Sequence, residues 1–226
     1  MSGAITPQQL PLVLPHEEAL GIDDYLVSSS NQVAFNLINN WPEWPSPIVL
    51  LAGPIGSGKT HLVNVWQEMS GATVVKASDL QRCDVNSLSE SGPVAVEDIH
   101  QGFDERSLFH LFNAVRLHGS SMLITSRVWP QSMPLQLPDL ASRFRATTPV
   151  EIEEPDDMLL KMVLTKLFAD RQISIDSTVV DFLVVRIERS LNAAAQMVDR
   201  LDRQALASGK KITRVMASRM LESLDE

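Results

Sequence analysis

The sequence predicts an α/β protein in which a three-layer domain built on a parallel sheet precedes a small all-helical lid. Two observations predict the first part: apolar runs alternate with helical patterns between residues 48 and 152, and the first run leads into a phosphate-binding loop. A third predicts the lid, because every signal after residue 154 is helical. We therefore expect an N-terminal peptide at 1–20, the α/β domain at 21–153 and the lid at 154–226.

The N-terminal peptide is expected to be extended, because prolines at positions 7, 11 and 15 disfavour a helix. In an extended chain Leu10, Leu12 and Leu14 share one face. That face fits either a strand packed on the protein's own core or a peptide that binds a partner, and periodicity alone does not separate the two.

A helix is expected to follow and to run through Asn40, with an apolar stripe and one of three polar residues as its cap. The stripe is Val33, Leu37 and Ile38, and the candidate caps are Ser29, Ser30 and Asn31. A connector broken by prolines comes next and contains Trp41 and Trp44. Its tryptophans either cover an edge of the core or form the wall of a base pocket.

Residues 53–60 read Gly-Pro-Ile-Gly-Ser-Gly-Lys-Thr and fit the pattern G-x-x-x-x-G-K-[ST]. Glycines let successive backbone N–H groups surround a phosphate, and the helix that follows adds partial positive charge. In this pattern Lys59 reaches the terminal phosphates and the Thr60 hydroxyl binds Mg²⁺. The strand before the loop and the helix after it favour this interpretation over a chance match. We expect ATP or ADP with Mg to bind Gly53, Pro54, Ile55, Gly56, Ser57, Gly58, Lys59, Thr60 and His61.

Four more strands are expected, at 72–76, 93–98, 121–126 and 147–152. Between the second and third of these lies a helix capped by Asp104, ending at Gly119, with the buried stripe Leu108, Leu111, Phe112 and Val115. A short helical turn is expected at 140–144. In the lid, Pro155 should fall in the first turn of a helix, Asp176, Ser190 and Thr213 should cap three more, and Gly209 should end the third helix.

The strand at 93–98 ends in two acids, Glu97 and Asp98. In a protein with a phosphate-binding loop, one such carboxylate holds the Mg²⁺ water shell and a neighbour polarises the attacking water. The alternative is a strand end where acids simply meet solvent. The usual order is Asp followed by Glu or Asp, and here Glu comes first, so we expect the chain's own hydrolysis to be weak or absent.

Composition limits the partners. The chain has 226 residues and a net charge of −9, which argues against non-specific binding to DNA or to an anionic membrane, although a local basic patch remains possible. Cys83 is the only cysteine, so there is no intramolecular disulfide and no cysteine metal cluster, and a cytoplasmic location is expected. No apolar run approaches the roughly 18 residues of a membrane span.

Four motifs carry a family resemblance: Gly-Pro-Ile-Gly-Ser-Gly-Lys-Thr-His-Leu at 53–62, Val-Glu-Asp-Ile-His at 96–100, Leu-Ile-Thr-Ser-Arg at 123–127 and Leu-Pro-Asp-Leu-Ala-Ser-Arg-Phe at 137–144. They resemble the AAA+ ATPase module of the bacterial initiator DnaA, from about Tyr25 to the C-terminus. The N-terminal Gln9-Leu10-Pro11-Leu12-Val13-Leu14 resembles the clamp-binding peptide of Hda-type regulators, which are one-module relatives of DnaA.

The resemblance implies roles for single residues. Ser126, with Thr125, occupies the sensor-1 position, and Arg127 stands where DnaA-like proteins often have an acid. Arg143 matches the arginine finger, which acts in trans on a neighbour's nucleotide. Asn192 falls where the lid usually has its sensor-2 arginine, and Arg189 lies a residue or more upstream. Gln9, Leu10, Leu12 and Leu14 would contact the sliding clamp.

The function implied is regulation of chromosome replication initiation: binding to the DNA polymerase sliding clamp and promotion of ATP hydrolysis by DnaA, a negative regulation. The partners implied are DnaA and the clamp, with homo-oligomers possible, DNA met only indirectly and no membrane. Two alternatives remain at this point. One is a DnaA-like adaptor or helicase loader that delivers a partner to DNA, and the other is a self-contained P-loop kinase or NTPase.

Overall fold

The computed structural model describes residues 21–223. The N-terminal peptide 1–20, with Gln9, Leu10, Leu12 and Leu14, lies outside the described residues, so its predicted extended form and clamp contacts stay predictions. Within the described residues no helix is both long enough and apolar enough to cross a membrane.

The described residues contain a five-stranded sheet, which confirms the predicted α/β class. Its strands are β1 (Ile48–Ala52), β2 (Thr73–Lys76), β3 (Val94–Glu97), β4 (Met122–Ser126) and β5 (Thr148–Glu151). Their order is β2-β3-β4-β1-β5 and every pair is parallel. All five residues of β1 are buried, as expected for a strand with a neighbour on each side and helices on both faces. The carboxyl ends of β1, β3 and β4 therefore lie at one edge of the sheet.

Five helices cover the sheet: α1 (Gln32–Asn39), α2 (Lys59–Ser70), α3 (Val85–Glu90), α4 (Glu105–Leu117) and α5 (Pro138–Arg145). Because side chains alternate along β1, Ile48 and Leu50 pack on one face with α4 and α5. Val49 and Leu51 pack on the other face with α1 and α2. The predicted stripe of α4 is confirmed, since Leu108, Leu111, Phe112 and Val115 are all buried.

The first helix differs from its prediction. It ends at Asn39, and Val33, placed in the apolar stripe, is 70% exposed. Ile38, which was also placed in the stripe, is buried, and Ala34, four residues before it, shares the buried face. Asn31 stands at the cap position, but its Oδ1 accepts the N–H of Ser28 and caps no helical N–H. The connector that follows covers an edge of the core, because Trp41 and Trp44 both pack against the buried Trp66.

Other elements differ at their ends. Each of the four later strands is shorter than predicted, and β3 stops at Glu97 because Asp98 has a left-handed backbone, with φ 62°. The helical turn expected at 140–144 is the inner part of α5. Helix α3 was not predicted, because its six residues contain only two apolar positions, Val85 and Leu88, which is too short a pattern to indicate a helix. Asp104 caps α4 by accepting the N–H of Ser107, as predicted, and Gly119, with φ 62°, follows its C-terminus.

The C-terminal part is a bundle of α6 (Asp157–Asp170), α7 (Ser177–Val184), α8 (Leu191–Ser208) and α9 (Arg214–Glu222). Its core is a separate hydrophobic cluster that includes Leu160, Leu164, Phe168, Leu183 and Leu201. Three predicted caps are confirmed at Asp176, Ser190 and Thr213, and Gly209 ends α8 with φ 63°. Pro155 was predicted in the first turn of a helix, but Asp156 is the cap of α6, so the proline lies two positions before the first helical residue, Asp157.

Candidate functional site

The phosphate-binding loop joins the end of β1 to α2 and is held tightly against the sheet. Gly53 donates its N–H to the carbonyl of Ser126 on β4 at 3.2 Å. A Cβ on Gly53 would lie 2.5 Å from the carbonyl oxygen of Ile152, so no residue with a side chain fits at this position. Gly56 has φ 67°, which an L side chain rarely adopts. The predicted turn is therefore present, with backbone that approaches its neighbours too closely for side chains.

Lys59, the first residue of α2, is 8% exposed. Its Nζ donates to the carbonyl oxygens of Gly53 (2.8 Å) and Pro54 (2.6 Å). Its pKa is lowered to about 8, chiefly by burial and also by the charge of Arg127, while Asp98 and Glu97 act in the opposite direction. No carboxylate pairs with this ammonium among residues 21–223. The Nζ also donates to the hydroxyl of Ser57 at 3.5 Å. A buried cation satisfied by neutral groups of its own loop fits a site that receives a phosphate.

Thr60 and Glu97, the two residues predicted to hold Mg²⁺, are brought together. The Thr60 hydroxyl donates to Glu97 Oε1 at 3.0 Å, and the threonine is exposed beside the loop. A hydroxyl and a carboxylate are oxygen ligands of the kind Mg²⁺ prefers, and the remaining positions of such a site are filled by phosphate and water. The donor set fits the predicted ion.

Asp98 lies next to Glu97 in a strained backbone conformation, with φ 62° and ψ 42°. Its N–H donates to Thr125 Oγ1 at 3.0 Å, and its carboxylate is 3.7 Å from Nδ1 of His100. Burial, the largest influence, lowers the pKa of His100, whose two ring nitrogens are buried without a hydrogen-bond partner. His100 is the last residue of the motif at 96–100, and the sequence did not assign it a role. Its position two residues after Asp98 was the available signal.

At the end of β4 the two sensor candidates behave differently. Ser126 is fully buried, and its hydroxyl donates to the carbonyl of Val128 at 2.6 Å, closing the turn after the strand. The hydroxyl of Thr125 accepts the N–H of Asp98. Thr125 is therefore the side chain of the pair that contacts the acidic strand end, whereas the Ser126 hydroxyl is engaged locally.

Arg143 lies on α5 and makes its polar contact with α4. Its Nη2 donates to Asn113 Oδ1 at 2.8 Å, and its guanidinium carbon is 6.0 Å from the centre of the Phe109 ring. The start of α5 is held by the same helix, since the Glu105 carboxylate accepts the N–H groups of Gln136 and Leu137. Arg143 is thus half-buried on a helix attached to α4, and its contacts are not with the phosphate-binding loop of its own chain.

The first turn of α8 covers the other side of the loop. The N–H of Leu191 donates to the carbonyl of Gly56 at 2.8 Å, and a Cβ on Gly56 would collide with Ser190 Oγ. Asn192 is exposed on the first turn. Arg189 is engaged elsewhere, because it donates to the carbonyl of Pro155 and to the carboxylate of Asp157. The lid therefore meets the loop with backbone and small side chains, and its first turn contains no cation.

His61, predicted as a nucleotide contact, anchors the beginning of the described chain. Its Nε2 is 3.1 Å from the carbonyl oxygen of Gly21, and its ring meets that of Tyr25 edge to face at 5.0 Å. Tyr25 in turn stacks on Phe35, and a Cβ on Gly58 would lie 3.8 Å from the tyrosine ring. Tyr25 thus lies beside the loop, a position that the sequence reasoning did not assign to it.

A family model described as "Hda, lid domain" matches residues 159–221, which fall within α6–α9. An uncharacterized protein of Haemophilus influenzae is 23% identical, with 91% of this chain and 95% of that protein covered. The chromosomal replication initiator protein DnaA 2 of Chlamydia caviae is 27% identical, over 71% of this chain and 41% of the relative. The chain thus spans about half the length, or less, of the DnaA relatives it matches.

Among solved structures, domain III of the Thermotoga maritima replication initiation protein DnaA superposes with a TM-score of 0.76 at 18% identity, covering 93% of this chain and 98% of that one. DnaA from Aquifex aeolicus, solved bound to AMPPCP, gives a TM-score of 0.71 at 17% identity, over 81% and 65% of the two chains. At these identities the likeness establishes the fold, which is that of an AAA+ module with a helical lid.

Proposed function

From the premise that this chain is a DnaA-related AAA+ protein of the Hda type, we propose that it is a nucleotide-binding regulator of replication initiation that promotes ATP hydrolysis by DnaA while bound to the sliding clamp. The observation that carries the proposal is the match of residues 159–221 to the Hda lid on a chain with a complete phosphate-binding edge. Among the relatives of DnaA, the lid match favours the Hda-type regulators. The phosphate-binding edge provides the residues that would bind the nucleotide and Mg²⁺.

The chain's own nucleotide is held by residues of that edge. Lys59 would exchange the carbonyls of Gly53 and Pro54 for phosphate oxygens, and Thr60 with Glu97 would hold Mg²⁺. The structure of an AMPPCP-bound DnaA relative supports this assignment. When bound, the nucleotide supplies negative phosphate charge that Mg²⁺, the loop's N–H groups and Lys59 would neutralise. Asp98, with its strained backbone next to Glu97, fits slow hydrolysis by the chain itself.

Arg143 is the group proposed to act on DnaA. It lies on α5, and among residues 21–223 only Asn113 accepts a hydrogen bond from its guanidinium. In a mixed site DnaA would supply the phosphate-binding loop and metal, and Arg143 would stabilise charge on the phosphoryl group in transfer, an effect worth roughly 10³–10⁵ in rate in other systems.

The test is ATP turnover by DnaA in the presence of this protein, clamp and DNA. Arg143→Ala should abolish the stimulation while leaving the fold and the chain's own nucleotide binding intact. Arg145→Ala is the matched control, because Arg145 is exposed on the same helix and its guanidinium donates to the Ser142 hydroxyl of that helix. Full stimulation by Arg143→Ala would rule out the finger role.

Clamp binding is proposed for Gln9, Leu10, Leu12 and Leu14. Each leucine contributes about 1.5–3 kcal/mol if fully buried in a partner, and Gln9 offers an amide that donates and accepts. Replacing Leu12 and Leu14 with alanine should lower clamp affinity without changing the melting temperature, and Val13→Ala, on the opposite face of an extended chain, serves as the control. A large fall in melting temperature with clamp affinity retained would mean that the segment belongs to the core.

A further inference from the structure

We propose that the lid binds the phosphate backbone of duplex DNA directly, through a basic surface formed by the end of α7, the second half of α8 and α9. This inference goes beyond the proposed function, in which DNA is met only indirectly, and it does not depend on the nucleotide site. The partner is identified by the charge of the surface, by the spread of its cations and by the aromatic side chains of the lid.

Basic residues are concentrated near the C-terminal end of an acidic chain. Between residues 200 and 219 the sequence contains six basic residues and one acid, whereas the whole chain has a net charge of −9. All six basic residues are exposed: Arg200, Arg203, Lys210, Lys211, Arg214 and Arg219. Together with Arg186, which is exposed just after α7, they form what we call the basic surface. An uneven distribution of this kind gives a local positive potential on a protein whose net charge is negative.

The ion pairs of the lid leave these seven cations without acidic partners. The four other basic residues of the lid are each paired with a carboxylate: Lys161 with Asp181, Lys166 with Asp24 and Asp170, Arg171 with Asp199, and Arg189 with Asp157. Within residues 21–223, no member of the basic surface is in an ion pair. An anion that binds this surface therefore has no carboxylate of those residues to displace.

Two of the arginines are held in place by Phe182. The guanidinium carbon of Arg186 lies 4.1 Å from the centre of that ring, and that of Arg214 lies 4.7 Å from it. Arg186 is fixed further, because its Nη1 donates to the Phe182 carbonyl at 3.1 Å. A guanidinium stacked on a ring keeps its N–H edge free for two parallel hydrogen bonds to a phosphate. These two cations are thus arranged before a ligand binds.

The cations extend along both sides of α9. On one side, Arg186 and Arg200 line a groove of about 690 Å³. On the other side, Lys210 and Arg219 line a second groove. Because a helix rises about 1.5 Å per residue, Arg200 lies about 12 Å before the end of α8 at Ser208, and the lysines follow that end. The surface therefore has the length of several base pairs, each about 3.4 Å, and is larger than a site for one small anion.

The aromatic side chains of the lid favour a duplex over a single strand. Proteins bind single strands by stacking the bases on exposed aromatic rings. Residues 154–226 contain two aromatic residues, Phe168 and Phe182. Phe168 is fully buried, and the ring of Phe182 is in contact with two guanidiniums. The basic surface is therefore suited to a phosphate backbone, and its binding should not depend on base sequence.

An acidic protein segment is the alternative partner, because Ile187, Met197 and Leu221 give the first groove an apolar floor. A peptide seated there would need the arginines of that groove. It would not need Lys210, which lines the other groove, or its neighbour Lys211. A DNA backbone would use cations on both sides of α9, so the two lysines separate the two partners.

The experiment is fluorescence anisotropy of a labelled duplex of about 20 base pairs titrated with the full chain. We expect a Kd of about 10⁻⁴–10⁻⁶ M at physiological salt that weakens steeply as salt is raised. Lys210→Gln combined with Lys211→Gln should weaken duplex binding about 10-fold and reduce the slope of log K against log salt by about two. Both side chains are exposed, so the melting temperature should not change.

The control removes the same charge elsewhere. Lys76→Gln combined with Lys161→Gln takes one cation from the edge strand β2 and one from the ion pair with Asp181, and should change duplex affinity by less than about twofold. A second variant, Arg186→Gln combined with Arg200→Gln, tests the other side of α9 and should weaken duplex binding to a similar extent as the lysine variant.

Three results would overturn the inference. One is no duplex binding by the unmodified chain at about 50 mM salt, or equal losses in the lysine variant and its control. Another is tighter binding of a labelled polyglutamate peptide than of the duplex, weakened by the arginine variant alone, which would indicate an acidic protein partner. The third is tighter binding of a single strand of the same sequence. Stimulation of DnaA and the chain's own nucleotide binding are measured separately, and none of these results bears on them.

Discussion

The sheet region and the lid lie on opposite sides of one loop and contribute to it differently. From the sheet come charged and polar groups: Lys59, Thr60, the acids at the end of β3 and Arg127. From the lid come a backbone N–H, that of Leu191, and the small side chain of Ser190 against Gly56. Yet it is the lid that matches the Hda family model.

This difference suggests that the sheet edge provides the general chemistry of phosphate binding, while the lid carries what is specific to this family. Phosphate-binding groups at a sheet edge are common to many proteins of this fold, whereas the lid can change its surface without disturbing them. In this chain the lid contacts the loop through a backbone N–H and a small side chain. We therefore expect substitutions in the lid to change nucleotide affinity less than substitutions at the sheet edge.

The largest expected effect tests whether the two regions unfold together. Phe168→Ala removes a fully buried ring from the lid cluster and should cost about 3–5 kcal/mol. Because that cluster is separate from those on the sheet, hydrogen exchange should accelerate first in α6–α9 while β1 and β4 stay protected. Met158→Ala, 62% exposed at the start of α6, is the control. Simultaneous loss of protection in both regions would show a single cooperative unit.

The next effect measures the contact between lid and loop. Gly56 has φ 67° and Gly71 has φ 68°, so alanine at either should be strained by about 1–2 kcal/mol. Only Gly56 also meets the lid, at Ser190 and Leu191, while nothing lies within 4 Å of a Cβ on Gly71. We expect Gly56→Ala to lose a further 1–3 kcal/mol or so from overpacking. Equal losses of unfolding free energy for the two variants would mean that the lid does not press on the loop.

A smaller effect is expected on the stability of the lid at low pH. Hydrogen bonds from Thr178 hold the pKa of Asp176, the cap of α7, below its usual value. A carboxyl with a lowered folded-state pKa contributes stability above its unfolded pKa, and this contribution is lost as the pH falls through the folded value. Asp176→Asn can still cap α7 but does not titrate, so the lid of this variant should lose less stability below about pH 4. Circular dichroism during acid titration measures this, and identical curves would contradict it.

The smallest effect is expected at Asn192. It is exposed and uncharged, so Asn192→Ala should change the affinity for AMPPCP by less than about twofold, within the range typical of surface substitutions. Calorimetric titration measures this, and Lys59→Ala, which removes the buried ammonium of the loop, gives the contrast between sheet and lid. A large loss at Asn192 would mean that the lid recognises the nucleotide directly.

Much of the fold could be predicted because it depends on local patterns. The apolar run at β1, the stripe of α4 and the caps at Asp104, Asp176, Ser190 and Thr213 are short-range signals, and all are confirmed. Val33 shows the limit of such signals. Which face of α1 is buried depends on the helix and sheet against which it packs, and those contacts are not written in eight residues.

Less of the candidate site could be predicted, because many of its contacts also depend on residues outside the local sequence. The pairing of Thr60 with Glu97 follows from the motif, since parallel strands end at one edge. The use of the Ser126 hydroxyl in its own turn, the engagement of Arg189 by Asp157 and the placement of Tyr25 beside the loop depend on contacts between residues far apart in the chain or on turn geometry.

One feature of α4 links the two ends of the proposed chemistry. Its Glu105 holds the start of α5, its Asn113 holds Arg143, and its Phe112 packs on Phe144 at 5.3 Å. These three attachments along one helix fix the position of α5, and of Arg143 on it, relative to α4. Because α4 begins at Glu105, shortly after β3 ends at Glu97, the position of Arg143 depends on the same strand that presents the acids of the chain's own site.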